Sequence, residues 1–224
     1  DKCAEDCATH TDLSCLGEYI WVSTPSSSVP VTFQFVNALD QRPAAEVTAK
    51  VCRPEDVACE SPAGEPMMTD EEGKVALTLP TPVRSFTGFL ELNGEGWYPT
   101  LVHLGWPVAR PGVQYVPIVN QQSVIANINL SGVAPDPARG QLQLRMFGCA
   151  GVGMRGVYFT ASGADDQSRT WYAAQPLPSF TADATNDLGS GGIINVAPGS
   201  SVIEARLRSD DTLVARTQAP VRAG

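Results

Sequence analysis

Two turn segments set a fixed distance apart limit the folds open to this 224-residue chain more than any other feature. Thr69-Asp70-Glu71-Glu72-Gly73 leads into an alternating run, Lys74-Val75-Ala76-Leu77-Thr78-Leu79, that stops at Pro80. Thr185-Asn186-Asp187-Leu188-Gly189 leads into a second run at 193–196 that stops at Pro198-Gly199. The threonines and the glycines each recur 116 residues on. Upstream, 31–47 and 142–157 share an order: a strand, a turn, a small residue, a valine. The same punctuation twice, in the same order, predicts two copies of one all-β unit of about 90–110 residues.

The rest of the chain agrees with strands. The 20 Gly and 18 Pro are scattered, which favours many short elements over long helices. Strands are expected at 31–36, 47–51, 74–79, 86–92, 97–104, 114–119, 124–130, 141–147, 156–161, 168–173, 192–196 and 202–208, with a short apolar run at 18–22. In the strand expected at 74–79, Val75, Leu77 and Leu79 share one face. No segment of 12 or more residues shows a 3.6-residue period, so helix content should be low. Residues 131–140 hold Pro135, Pro137 and two glycines, the best boundary in the chain. The expected organisation is a Cys-rich N-terminal arm over 1–28, a first antiparallel sandwich over 29–130 and a second over 139–224.

At these residues the chain resembles the carboxypeptidase regulatory-like, or transthyretin-like, β-sandwich. Asp187-Leu188-Gly189 with Asn195-Val196-Ala197-Pro198-Gly199 matches that pattern best, and Thr69-Asp70-Glu71-Glu72-Gly73 with Leu79-Pro80 second. The first copy departs from it in lacking a glycine after the proline. Together with Phe147-Gly148-Cys149-Ala150-Gly151, the chain is similar to exported proteins and lipoproteins of myxobacteria and their relatives. The resemblance covers roughly 29–105 and 139–222. It implies a seven-stranded sandwich, an envelope or extracellular location and no catalysis, and it supplies no ligand.

Charge excludes some partners. The net charge is −9, and the excess acid lies in residues 1–120, which carry 16 acids and 7 bases. An acidic chain without a Lys/Arg cluster repels phosphate backbones and anionic lipid surfaces, so no nucleic-acid partner is expected. No apolar run reaches the roughly 18 residues of a membrane span, and no signal peptide is visible, so Asp1 reads as a mature or trimmed start; a lipid anchor upstream of it would be compatible. Six cysteines, Cys3, Cys7, Cys15, Cys52, Cys59 and Cys149, read as disulfides formed in an oxidising compartment. Six thiols allow 15 connectivities. Cys52 and Cys59 flank a short loop and are the one local pair; closing it contributes roughly 2.5 kcal/mol through loop entropy.

The search for chemistry finds little. His10 and His103 are the only histidines, and there is no Gly-x-Ser-x-Gly elbow. His103 reads as a strand residue. Cys3, Cys7, His10 and Cys15 could together hold a zinc ion, but disulfides are the expected state of that arm. The acidic turns Asp70-Glu71-Glu72, Asp187, Asp165-Asp166 and Asp210-Asp211 lack the spaced ligands of a calcium loop and read as solvated turns. Lys50 with Asn127, Asn129 or Asn195 could in principle form an amide cross-link, but no pattern specifies one. No cofactor and no metal are expected. The aromatics carry the binding reading. Trp97-Tyr98, Trp106 and Trp171-Tyr172 sit near strand ends, and adjacent strand residues face opposite ways, so one of Trp97/Tyr98 and one of Trp171/Tyr172 should face outward. The expected function is a non-enzymatic, extracellular or envelope-associated interaction or structural protein working through protein contacts, with strand addition at sheet edges one means. The alternative is a polysaccharide-binding module using exposed Trp and Tyr.

Intact mass after alkylation without reductant should show no free thiol. Four alkylations accompanied by bound zinc would replace the disulfide reading with the metal one.

Overall fold

Alternation writes the first strand. In β1 (Ser28–Asn37), Val29, Val31, Phe33 and Phe35 point inward and are at most 2% exposed. The computed structural model in which this is seen describes residues 12–15, 23–82, 84–104, 107–134, 136–174 and 177–223. The strands β2 (Thr48–Cys52), β3 (Met67–Met68), β4 (Lys74–Pro80), β5 (Phe89–Asn93), β6 (Thr100–His103) and β7 (Gly112–Ile118) follow. They belong to one compact unit, Ile20–Ile125. One sheet has the order β4-β1-β7, with β4 antiparallel and β7 parallel to β1; the other has the order β3-β2-β5-β6. Their facing residues form one core that includes Val31, Phe33, Phe35, Val47, Leu77, Leu79, Leu90 and Ile118. Pro80 and Pro117 sit in β4 and β7, the edge strands of their sheet, where a missing N–H costs no ladder bond.

The strand expected at 124–130 is instead a helix, α1 (Gln121–Ser131). Asn120 Oδ1 accepts the Ser123 N–H at 2.8 Å and caps its start. Val124 and Ile128, four residues apart, are buried, and Gly132 ends it at φ 73°.

A second unit comprises Ala126–Gly224 with Asp1–Tyr19. Its strands are β8 (Gly140–Arg145), β9 (Val157–Ala161), β10 (Arg169–Tyr172), β11 (Ser190–Val196), β12 (Gly199–Leu207) and β13 (Leu213–Val221). They form two antiparallel sheets, β10-β11-β8 and β13-β12-β9. The core here is in two parts, one around Met154, Val157, Phe159 and Tyr172, the other around Ile193, Val196 and Ile203. The chain is thus all-β, two tandem sandwiches.

The two turns noted in the sequence do the same work in both units. Thr69 Oγ1 accepts the Val47 N–H (2.9 Å) and donates to the Ala44 carbonyl (2.8 Å). Thr185 Oγ1 accepts the Val157 N–H (3.0 Å) and donates to the Met154 carbonyl (2.6 Å). Both threonines are 4% exposed. Gly73 and Gly189 follow at φ 71° and 60°, and a Cβ on either would lie 2.4 or 2.2 Å from a backbone oxygen, that of Phe35 or of Met146. Phe35 N–H donates to Gly73 O at 2.8 Å and Met146 N–H to Gly189 O at 2.7 Å. Phe35 and Met146, Ala44 and Met154, Val47 and Val157 are therefore equivalent positions.

Two disulfides are present among the described residues. Cys52–Cys59 is the local pair expected, and it packs with Phe89 and Leu101. Cys15–Cys149 joins the N-terminal arm to the turn after β8. That bond takes Cys15 out of the candidate zinc set; Cys3, Cys7 and His10 lie outside the described residues, as do Trp106 and the apolar run at 18–22.

Replacing Thr69 or Thr185 by Val should leave a buried N–H and a buried carbonyl unpaired. Each change should cost its own unit about 1–3 kcal/mol in denaturant unfolding, with Ser restoring most of the loss. Unchanged stability in both Val variants would contradict the clasp.

Candidate functional site

Period-two geometry leaves one face of each sheet outside, and in the β4-β1-β7 sheet that face carries an exposed apolar pair on β7. In β7, Val116 and Ile118 turn into the core, so Val113 and Tyr115 turn out. Val113 is 53% exposed and Tyr115 71%. The registers put Gln34 beside Tyr115 and Lys74 beside Gln34; one row over, Thr32 lies beside Val113 and Ala76 beside Thr32. The result is a flat strip, aromatic and aliphatic along β7, polar along β1 and β4. Lys74 Nζ pairs with Glu72 at 2.6 Å, and that hydrogen bond, with a smaller contribution from Tyr115, raises the Lys74 pKa and keeps it cationic. Such a strip can stack a flat or apolar surface on Tyr115 and Val113 and donate hydrogen bonds from Gln34 and Lys74.

The residues singled out in the sequence are placed differently. Tyr172 lies in the core at 4% exposed, its ring 6.1 Å from that of Phe159. Its neighbour Trp171 is half-buried on the other face, its indole against Gly192, where a Cβ would lie 2.7 Å from Nε1. Trp97 and Tyr98 are both half-buried; Trp97 packs against the first core, and burial raises the Tyr98 pKa. These four are not brought together into one surface within either unit. Tyr115 lies inside the strand expected at 114–119. Both parities of β7 carry apolar residues, so its sequence did not say which would face out; its register against β1 does.

The groups that could have carried chemistry are engaged in structure. His103 packs its ring on Phe89 at 5.2 Å and makes no side-chain hydrogen bond among the described residues; its apolar surroundings push its pKa down to about 4. Asp70 Oδ1 accepts the N–H groups of Glu72 and Lys74 at 2.9 and 2.8 Å, which shapes the turn. Asp187 holds Arg155 through two contacts of 2.5 Å. Lys50 pairs with Glu91 at 2.6 Å, Asn127 and Asn129 lie on α1, and the Asn195 amide donates to the carbonyls of Ala134 and Gln167. Asn195, buried at φ 56°, also accepts from Arg139 and Ser168 through its own carbonyl and so pins the segment before β8. Arg139 in turn chelates Asp165, whose carboxyl it holds down to about 2. No group of three or more His, Cys, Asp or Glu placed to hold a metal occurs among the described residues.

No protein-family model matches the sequence, and no curated protein matches it. Among solved structures the chain is similar to the Bacillus anthracis TIE protein, at 10% identity and TM-score 0.32 over 89% of this chain and 32% of that one. It is similar to a streptococcal ancillary pilin, at 15% identity and TM-score 0.28 over 88% of this chain and 55% of that one. A DUF3823 family protein from Bacteroides uniformis matches at 12% identity and TM-score 0.31, over 88% of this chain and all of that one. The chain spans about a third and about half of the length of the first two. Likenesses of this size say nothing about what the chain binds.

Tyr115→Ala should change stability by no more than about 0.5 kcal/mol, as a surface change does, whereas Tyr172→Ala should cost roughly 3–5 kcal/mol. Denaturant unfolding of the two variants checks the assignment of inside and outside.

Proposed function

We propose that this chain is a non-enzymatic, extracellular or envelope-associated interaction protein, a tandem of carboxypeptidase regulatory-like sandwiches that holds a partner protein on the outer face of the β4-β1-β7 sheet. The observation that carries the reading is Tyr115, 71% exposed on a flat sheet face beside the 53% exposed Val113. A large rigid ring mostly in water on a regular sheet contributes little to its own fold, and it brings contact area with few rotors to freeze on binding. The disulfides support an oxidising compartment. Among the described residues no helix is long and apolar enough to cross a membrane.

Polysaccharide is the second reading. A sugar ring could stack on Tyr115 while the neighbouring Gln34 and Lys74 donate to its hydroxyls, an arrangement that the registers of β1 and β4 provide.

Capture from a cell-envelope extract of the producing organism, run in parallel on the immobilised wild-type protein and on Tyr115→Ala, tests the proposal. A hot-spot tyrosine should cost binding about 2 kcal/mol, some thirtyfold, without lowering the melting temperature. A glycan array separates sugar from protein. Equal capture by wild type and variant would remove this face from the function.

A further inference from the structure

We infer that the outer edge of β8 takes an extended segment of a partner protein, running parallel to β8, in the place that β7 fills in the first unit. The inference rests on the reading of the chain as a protein-binding one and names a second surface for it.

The equivalence of Phe35 and Met146 makes β8 the counterpart of β1. β1 has a strand on each side, β4 and β7. β8 has β11 on one side, and among the described residues no strand pairs with its other side. Met146 donates its N–H to Gly189, on the β11 side. Backbone groups alternate along an antiparallel strand, so those of Leu142 and Leu144 also face β11, and those of Gln141, Gln143 and Arg145 face the open side. The corresponding groups of β1, at Thr32 and Gln34, face β7 across the parallel register Thr32↔Val113 and Gln34↔Tyr115.

The core shows what a neighbour on that side would cover. Val31, Phe33 and Phe35 are 2%, 0% and 0% exposed. Their counterparts Leu142, Leu144 and Met146 are all half-buried, although they are as apolar. β7 adds Val116 and Ile118 to the first core; the second core, on which Leu13 of the arm packs but to which no such strand is added among the described residues, is in two parts. The missing chemistry is thus specific. It is an extended backbone offering N–H and C=O groups at a strand's spacing to Gln141, Gln143 and Arg145, with aliphatic side chains on the face beside Leu142, Leu144 and Met146. On the outward side Gln143 and Arg145 are exposed, so a polar or acidic residue there is accommodated.

A synthetic peptide with the sequence of residues 112–118, the strand that does this work in the first unit, is the probe. Hydrogen exchange of the Gln141, Gln143 and Arg145 amides is followed by NMR in the intact protein. These amides should exchange fast alone and slow by about tenfold once the peptide reaches ten times its Kd. Gln143→Pro removes an N–H on the side of β8 that no strand pairs with among the described residues, so the fold should survive and the protection should vanish. Should that variant misfold, a peptide N-methylated on its bonding edge gives the same reading with wild-type protein: no protection. Amides already protected without peptide, or unprotected at saturation, would overturn the inference. If β8 fails while capture still depends on Tyr115, only the edge is lost; if β8 is protected while Tyr115→Ala captures normally, only the sheet face is.

Discussion

Each unit hangs on one hydroxyl. A β-sandwich must turn its chain from one sheet to the other without leaving backbone groups buried and unpaired. Here a threonine solves that twice. It accepts one N–H and donates to one carbonyl at the point where β2 or β9 begins, and the glycine four residues on takes the left-handed turn that lets the next strand start against β1 or β8. Serine could supply the hydroxyl, but the methyl also fills buried space. No residue with a side chain could replace either glycine, because the backbone opposite is too close. The three intervening residues are free to vary, and they do: Asp70-Glu71-Glu72 in one unit, Asn186-Asp187-Leu188 in the other.

Around that shared frame the two units diverge where the frame does not constrain them. Between β2 and Thr69 the chain makes the Cys52–Cys59 loop and the two-residue strand β3, which pairs with β2. Between β9 and Thr185 it instead makes β10, which pairs with β11 in the other sheet. The first unit closes its core with β7; the second leaves Leu142, Leu144 and Met146 half-covered. A disulfide at Cys149, just past β8, secures the end of that less covered region to the arm. Two units with unequal edges give two different surfaces: a sheet face with an exposed tyrosine, and a strand edge, on β8, that no other strand pairs with among the described residues.

How far these features could be read from sequence depends on how local their cause is. The Thr–Gly turns were visible because their cause is contained in five residues. β1, β2, β4 and β9 were visible because one face is buried and the other wet, so alternation is strong. α1 was not, since its helical signal is one buried pair, Val124 and Ile128, between a capping Asn120 and a terminating Gly132, spread among residues that also alternate. β13 was not legible because Pro220 and Arg216 break its pattern, which an edge strand tolerates. The Cys15–Cys149 bond spans 134 residues and no local rule points to it. For the binding surface, the pair rule separates Trp171 from Tyr172 by face but does not say how covered the outer face is. Tyr115 was passed over because exposure on β7 is decided by its register with β1, a contact between residues some eighty positions apart.

Residue-resolved hydrogen exchange of the whole protein probes the hydroxyl clasp most directly. The Val47 and Val157 amides, each bonded to a buried threonine hydroxyl, should exchange only when their own unit opens globally, at the slowest rate found in that unit. Exchange of either amide at the rate of the surrounding turns, while the strands remain protected, would contradict the account.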